Sequence, residues 1–468
     1  MICHGERKCY MFGRWKPTKQ QTVFLLCLAL MILGTLLRLV YVQMTPFDIS
    51  AHDLGYFMGP DSEKIGAGHI GYIEYLYKQG GLPDFSPTKI WSFYNPPLYH
   101  AVSAVFLNIF LFLGQSWEAA WESLQFLPCL FICLAVIGSY LCLRELKIGG
   151  VALLAATAVF SFHPTWNYLS VTMNNDPLSV AFTVWAVYFT IRWYQKTTVP
   201  SILGIALCIG LGMMTKLTVA LIAPPVALIF LYRLLKGQWK RMIPQFALFA
   251  VVCVPLGLYW SVRNLILYDM PLGYIQSLPS GSAQNISGLS LGQRFGLPAL
   301  SDFVRLESYW FPSGATGTAD HNLWSQTLRT ALFDDNMVTF GAGYAPEFPG
   351  RMLMICALLL AVLTVCLTAS GLCKAGSADL FLRIMIGSAL LIVVVKFVNF
   401  CVSYPFTCTI HFRYIASALP LFSAAVGLWW KRTTGTFAWA VKVSYLAAVI
   451  IFSVLSTLVY LTGLPTVG

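Results

Sequence analysis

Apolar stretches of about 18 or more residues recur along this chain, each long enough to cross a hydrocarbon core roughly 30 Å thick. Only 10% of its 468 residues are charged, against about a quarter in an ordinary soluble domain. Lipid is therefore the solvent for most of the chain. Backbone groups in hydrocarbon must pair within the membrane, and the stretches lack the alternation of barrel strands, so they are read as helices. The fold class expected is an all-α polytopic membrane protein.

Eleven spans are expected, at 22–42, 124–143, 151–166, 177–193, 201–215, 217–234, 245–262, 352–372, 382–400, 415–430 and 438–461. The basic residues Arg7, Lys8, Arg14, Lys16 and Lys19 lead into a segment of full spanning length. That pattern marks a retained first anchor with a cytoplasmic N-terminus rather than a cleaved signal. The chain then divides into a basic N-terminus (1–21), a transmembrane module (22–262) whose first outer loop is 43–123, a large outer loop (263–351) and C-terminal helices (352–468).

Segment 97–114 is also apolar, and charge decides its placement. If it crossed, the clusters Arg144 and Lys147, Arg192 and Lys196, Arg233, Lys236, Lys240 and Arg241, and Lys431 and Arg432 would all face outward. Reading it as a juxtamembrane helix keeps every cluster cytoplasmic. All the acidic residues except Glu6, Glu145 and Asp379 then lie outside. Two outer loops of that size exceed what connection requires, so the chemistry is expected there, at the outer face of a plasma membrane.

Other functions fade on composition and motif. The net charge of +11 sits beside spans, where orientation explains it better than nucleic acid does. Thirteen cysteines are scattered without a CxxC pair, which suits apolar packing rather than a zinc site. No P-loop, dinucleotide fingerprint or HExxH occurs. Asn285-Ile286-Ser287 matches a glycosylation acceptor triplet, a pattern common by chance.

Acids and cations near the outer ends of spans are the candidates for chemistry. Asp53, after His52 and close behind Asp48, lies just beyond the first span, where partial desolvation tunes a carboxylate toward general-base work. A helix cap or solvated acid is the plainer reading. Asp176, in Asn174-Asn175-Asp176-Pro177, puts a second acid at the mouth of a span, and also suits an N-cap before a proline. Two such acids would organise an acceptor hydroxyl or admit a divalent metal ion, the one cofactor this pattern allows. Lys216 occupies a short turn between two spans, where an ammonium is costly unless solvated, paired or given an anion. Arg263 and Arg413 are expected at the same level, and arginine grips phosphate through two parallel hydrogen bonds. His69, Tyr94, Asn95 and His100 stand along the first outer loop as interfacial or substrate-facing residues.

In order, the acid after span one, Tyr94-Asn95-Pro96-Pro97-Leu98-Tyr99, Asn175-Asp176-Pro177, Thr215-Lys216, the Trp260 to Asn264 span end and Arg413-Tyr414 with Pro420 resemble the GT-C glycosyltransferases. The likeness is to the protein mannosyltransferase and aminoarabinose transferase superfamily, the family 39 type. The resemblance implies a GT-C-like bundle that moves a sugar from a polyprenyl-phosphate donor to a glycan, lipid or protein acceptor outside the cytoplasm. It implies a general base at Asp53, acceptor or metal organisation at Asp176, and donor-phosphate contacts at Lys216, Arg263 and Arg413. Two departures stand out: one Asp53 behind His52 replaces an adjacent acidic pair, and Asn95 replaces a lysine of the aminoarabinose transferases. The rival from another class is a transporter or lipid-sugar flippase, which should show internal repeats and mid-membrane charges; Lys396 is the candidate exception.

Overall fold

Proline, glycine and short polar turns punctuate the apolar stretches, and each stretch between them folds as helix. The computed structural model describes residues 17–47, 57–237, 239–306, 321–334, 346–373 and 380–463. In chain order the α-helices are α1 (Lys19–Met44), α2 (Gly68–Gln79), α3 (Leu98–Phe112), α4 (Trp117–Leu124), α5 (Phe126–Glu145) and α6 (Gly150–Phe162). Next come α7 (Pro164–Leu169), α8 (Asp176–Gln195), α9 (Val199–Met213), α10 (Ala223–Leu235), α11 (Trp239–Tyr268) and α12 (Leu291–Phe295). The last are α13 (Leu323–Phe333), α14 (Glu347–Cys373), α15 (Leu380–Ser403), α16 (Ala418–Arg432) and α17 (Thr436–Thr462). The described residues hold no strand, only an isolated bridge between Asn285 and Phe406.

The protein is an integral, multi-pass membrane protein with the all-α architecture expected. Seven helical segments among the described residues are long and apolar enough to span, or eight if Thr407–Ile415 and Ala418–Arg432, bent by 50°, count as one. Length and composition thus license fewer spans than eleven. The stretches expected at 151–166, 177–193 and 201–215 make the difference, and each has a physical reason. Pro164 closes the first into α6 and α7. The third ends at the Met214 to Lys216 turn. The second, α8, is buried on most of its surface by other helices, so it carries polar residues that a lipid-facing helix would not.

Contacts between helix ends give the bundle two distinct ends. At one end Gln195 Nε2, closing α8, donates to the Glu145 carbonyl of α5 at 2.7 Å, and Arg192 lies 3.6 Å from the Glu145 carboxylate. Arg241 of α11 reaches the Thr197 carbonyl at 3.1 Å beside them. This is the basic end. At the opposite end α8 begins and α9 finishes. There Arg38 of α1 donates to the Ser161 carbonyl at 3.0 Å, near the C-terminus of α6, while Tyr460 of α17 donates to Leu332 of α13 at 2.9 Å.

Helix α3 begins and ends at that second end. Leu98 N–H donates to the Met214 carbonyl at 2.9 Å. Beyond α3, Glu122 of α4 accepts from Phe47 N–H at 3.3 Å, and Gln125 Nε2 donates to Thr45, just past α1, at 2.9 Å. Two of the close approaches that demand glycine fall between helices. A Cβ at Gly34 would lie 2.4 Å from the Ser161 carbonyl oxygen of α6, and one at Gly371 2.5 Å from that of Ala425 in α16. Small residues let backbones approach where burial of hydrocarbon against lipid supplies no drive.

Candidate active site

Asp176 opens α8 as its first residue rather than as its cap. Asn175 holds the N-cap position, and the Asn174 side chain accepts from Asp176 N–H at 2.9 Å. The Asp176 carboxylate is thereby released from capping and turns to cations. Lys216, in the turn between α9 and a 3-10 segment (Leu217–Ile222), hydrogen-bonds its Oδ1. Arg413 Nε stands 3.9 Å from Oδ2. Tyr414 lies beneath both cations, with Lys216 Nζ 5.2 Å and the Arg413 guanidinium 5.0 Å from its ring centre. Arg413 Nη2 also donates to the Tyr414 hydroxyl at 3.0 Å.

These side chains line one small cleft, whose other wall is the apolar set Val180, Leu221, Ile222, Val393 and Leu421. The side chains of Asp176 and Arg413 are each 5% exposed and that of Lys216 18%. Two cations share one carboxylate in a recess with an apolar wall, and both are residue types that can meet an anion. An ammonium and a guanidinium against the same carboxylate make Asp176 by itself a poor metal ligand, and the second acid of the expected pair, Asp53, lies outside the described residues. Among the described residues no three His, Cys, Asp or Glu side chains gather to hold one.

The turns that bear the site are stapled together by amides. Asn175 Nδ2 donates to Asn95 Oδ1 at 3.2 Å and to the Thr215 carbonyl at 3.0 Å, joining three distant parts of the sequence. The Tyr94 carbonyl accepts from Trp260 Nε1 at 3.0 Å, and its ring meets Tyr274 edge-on. Tyr94, Asn95 and Asn175 are thus tied into the framework behind the cleft. Arg263 is placed differently from the phosphate-binding role expected. Its guanidinium donates to the Pro83 carbonyl and to Asn264 Oδ1, each at 2.7 Å, and stacks over Trp260 and Tyr268. It braces the first loop and is not among the residues lining the cleft.

His69 and His100 also lie apart from the cleft lining. Their rings hydrogen-bond at 2.8 Å between α2 and α3, and Tyr72 stacks on His100 with centroids 4.4 Å apart. Burial, then the neighbouring His69, push His100 well below the usual imidazole range. The two rings pack α2 against α3.

Asp48, His52 and Asp53 fall outside the described residues. The residues flanking that segment are held firmly: Phe47 and Phe57 pack 5.6 Å apart, and both stack on Trp121 of α4. Glu74 of α2 accepts from Met58 N–H at 2.9 Å while pairing with Lys78 at 3.0 Å. Sequence reasoning missed a buried pair beside Arg413, Asp334 with His411, whose only signal was a histidine two residues before a site arginine.

The fold is a many-helix membrane bundle with a cleft at one end where Asp176, Lys216 and Arg413 meet. Residues 94–260 match the family model described as dolichyl-phosphate-mannose-protein mannosyltransferase. The fold resembles ArnT from Cupriavidus metallidurans bound to undecaprenyl phosphate, with TM-score 0.50 and 13% identity over 93% of this chain and 76% of that one. The apo form of ArnT gives TM-score 0.50 and 14% identity over 92% of this chain and 76% of that one. No curated protein matches the sequence. The matched family segment is less than half of the chain, and the likeness to ArnT is one of fold.

Proposed function

We propose that the protein transfers a sugar from a polyprenyl-phosphate carrier to an acceptor hydroxyl on the extracytoplasmic side of the plasma membrane. The observation that carries this reading is the convergence of Lys216 and Arg413 on Tyr414 and Asp176 within an apolar-walled cleft. That combination suits a ligand with an anionic head and a hydrocarbon tail. The undecaprenyl phosphate bound by ArnT has this character. In this reading the orientation follows the basic clusters, with the N-terminus in the cytoplasm and the cleft outside.

The chemistry is a single displacement. Asp53 takes the proton from the acceptor hydroxyl, the acceptor oxygen bonds to the anomeric carbon, and the carbon–oxygen bond to the carrier phosphate breaks with inversion. Charge grows on the departing phosphate, where Lys216 and Arg413 stabilise it. Asp176 acts as their shared counter-ion, holding both cations in place before the phosphate arrives. Asn175 and Asn95 keep the cation-bearing turns in register.

Purified protein in lipid nanodiscs, given a polyprenyl-phosphate donor with a radiolabelled sugar, tests this directly. The wild type should release or transfer label, and Asp53→Asn should abolish transfer while leaving expression and thermal melting unchanged. Near-normal turnover by that variant would remove Asp53 from the mechanism. Movement of the intact labelled lipid between leaflets without sugar release would favour a flippase.

A further inference from the structure

We infer that Asp334 and His411 form a positioning pair that sets the backbone turn carrying Arg413, so that the large loop, through α13, controls how the carrier phosphate is held. The inference deepens the proposed donor site and rests on that reading.

The imidazole of His411 is fixed from both sides. Its Nδ1 accepts from Arg413 N–H at 3.1 Å, capping the 3-10 turn Phe412–Ile415, so the ring proton is assigned to Nε2. That nitrogen lies 2.7 Å from Asp334 Oδ1 and donates to it. The His411 side chain is 0% exposed and that of Asp334 1%. Tyr168 packs edge-on against the same imidazole. A carboxylate bound to one ring nitrogen sets the orientation and tautomer of the other, as it does for metal-bound and catalytic histidines.

Asp334 is itself held in a demanding conformation. It follows α13 with φ of 58° and ψ of −157°, a region populated almost only by glycine. An aspartate persists there when surrounding contacts determine its place. The same stretch supplies three more ties. Phe412 N–H donates to Thr330 Oγ1 at 3.0 Å, Thr165 Oγ1 donates to the Ala331 carbonyl at 2.8 Å, and Tyr460 donates to the Leu332 carbonyl at 2.9 Å. The end of α13 therefore clamps the two residues that precede Arg413, while α7 and α17 clamp α13. Arg413 itself, with Tyr414 after it, lines the cleft.

The test uses the full-length protein in nanodiscs with undecaprenyl phosphate as probe, comparing wild type, Asp334→Asn, Asp334→Ala, Arg413→Ala and the Asp334→Ala/Arg413→Ala double variant. Hydrogen exchange over 409–417 reads the turn, and titration of the lipid reads the site. Asp334→Ala should speed exchange in that peptide and weaken binding about tenfold, the loss of one charge-assisted bond. Asp334→Asn, whose amide oxygen still accepts from Nε2, should stay within about threefold of wild type. The double variant should bind no worse than Arg413→Ala alone, because the pair acts through that arginine.

Unchanged exchange or unchanged affinity in Asp334→Ala overturns the inference. So does additive loss in the double variant, or exchange spread through α13 and α16, which would mark a general packing role. Failure of the donor reading is separate: the wild type would bind the lipid no better than Arg413→Ala and a Lys216→Ala variant, and that result removes the site on which the pair is argued to act.

Discussion

The two ends of the bundle solve the burial of polar groups in opposite ways. At the basic end, Trp193 Nε1 donates to Gln245 Oε1 at 2.8 Å, and Gln245 Nε2 donates to the Thr197 carbonyl at 3.3 Å. Phe230 and Phe246 enclose the indole. The groups in this knot are neutral, each meets a partner, and the cations around it lie toward the surface. At the other end, Lys216 and Arg413 are drawn inward and share Asp176. The first arrangement stabilises a joint between helices. The second gathers two cations on one carboxylate at the cleft where the proposed function places an anionic ligand. Local choices that lower stability without an evident structural return concentrate at functional sites.

Substitutions at the two ends should therefore separate stability from binding. The largest effect belongs to Trp193→Ala, which leaves a cavity and an unpaired Gln245 and should cost about 3–5 kcal/mol. A steep fall in melting temperature, with undecaprenyl phosphate affinity retained by the folded fraction, is the expected outcome. Equal loss of affinity would erase the distinction between the ends.

Lys216→Met should do the reverse. Removing one charge-assisted contact to a phosphate should weaken carrier binding roughly 10- to 100-fold, while the melting temperature changes little because Asp176 keeps Arg413. Titration and melting on the same sample read both. A large destabilisation with unaltered affinity would recast Lys216 as structural.

Gly34→Leu tests a contact that is neither knot nor cleft. Its side chain would meet the Ser161 carbonyl, so α1 and α6 must separate, at about 1–3 kcal/mol. Because Arg38 grips that same carbonyl, the melting temperature should fall in Gly34→Leu and recover in part with Gly34→Ser, the smaller intrusion. A wild-type melt for the leucine variant would argue against this close crossing.

The smallest effect concerns pH. His100 has its folded-state pKa lowered by burial and by His69 from the ordinary imidazole value of 6.5. The unfolded chain therefore takes up a proton that the folded chain refuses. Stability should be full above about pH 6.5 and decline as pH falls toward the folded-state value. His100→Gln should flatten that decline, as read by melting between pH 7.5 and 5.5. An unchanged slope would show that other groups govern it.

Much of this was legible from residues alone, and for identifiable reasons. Runs of leucine, valine and isoleucine announce helices in lipid however they pack, which is why all the expected stretches proved helical. Asp176, Lys216 and Arg413, which the structure brings together, stand out in the sequence because charge at a span end is costly. Arg263 stands out on the same logic, but its contact with the Pro83 carbonyl is not visible in the sequence because that residue lies in a different loop. Asp334 and His411 escaped notice because their pairing spans 77 positions, and no local pattern encodes such a contact. Span number is least legible where α8 is enclosed by protein, since a helix screened from lipid is relieved of the need to be uniformly apolar.

The central claim, that a lipid-linked phosphate lies against Lys216 and Arg413 with its tail along the apolar wall, is tested most directly by photocrosslinking. Undecaprenyl phosphate bearing a diazirine near its head should label Val180, Leu221 or Val393, with labelling suppressed by unlabelled lipid and lost in Lys216→Met. Adducts gathered instead around Trp193 and Gln245 at the basic end, unaffected by Lys216→Met, would contradict it.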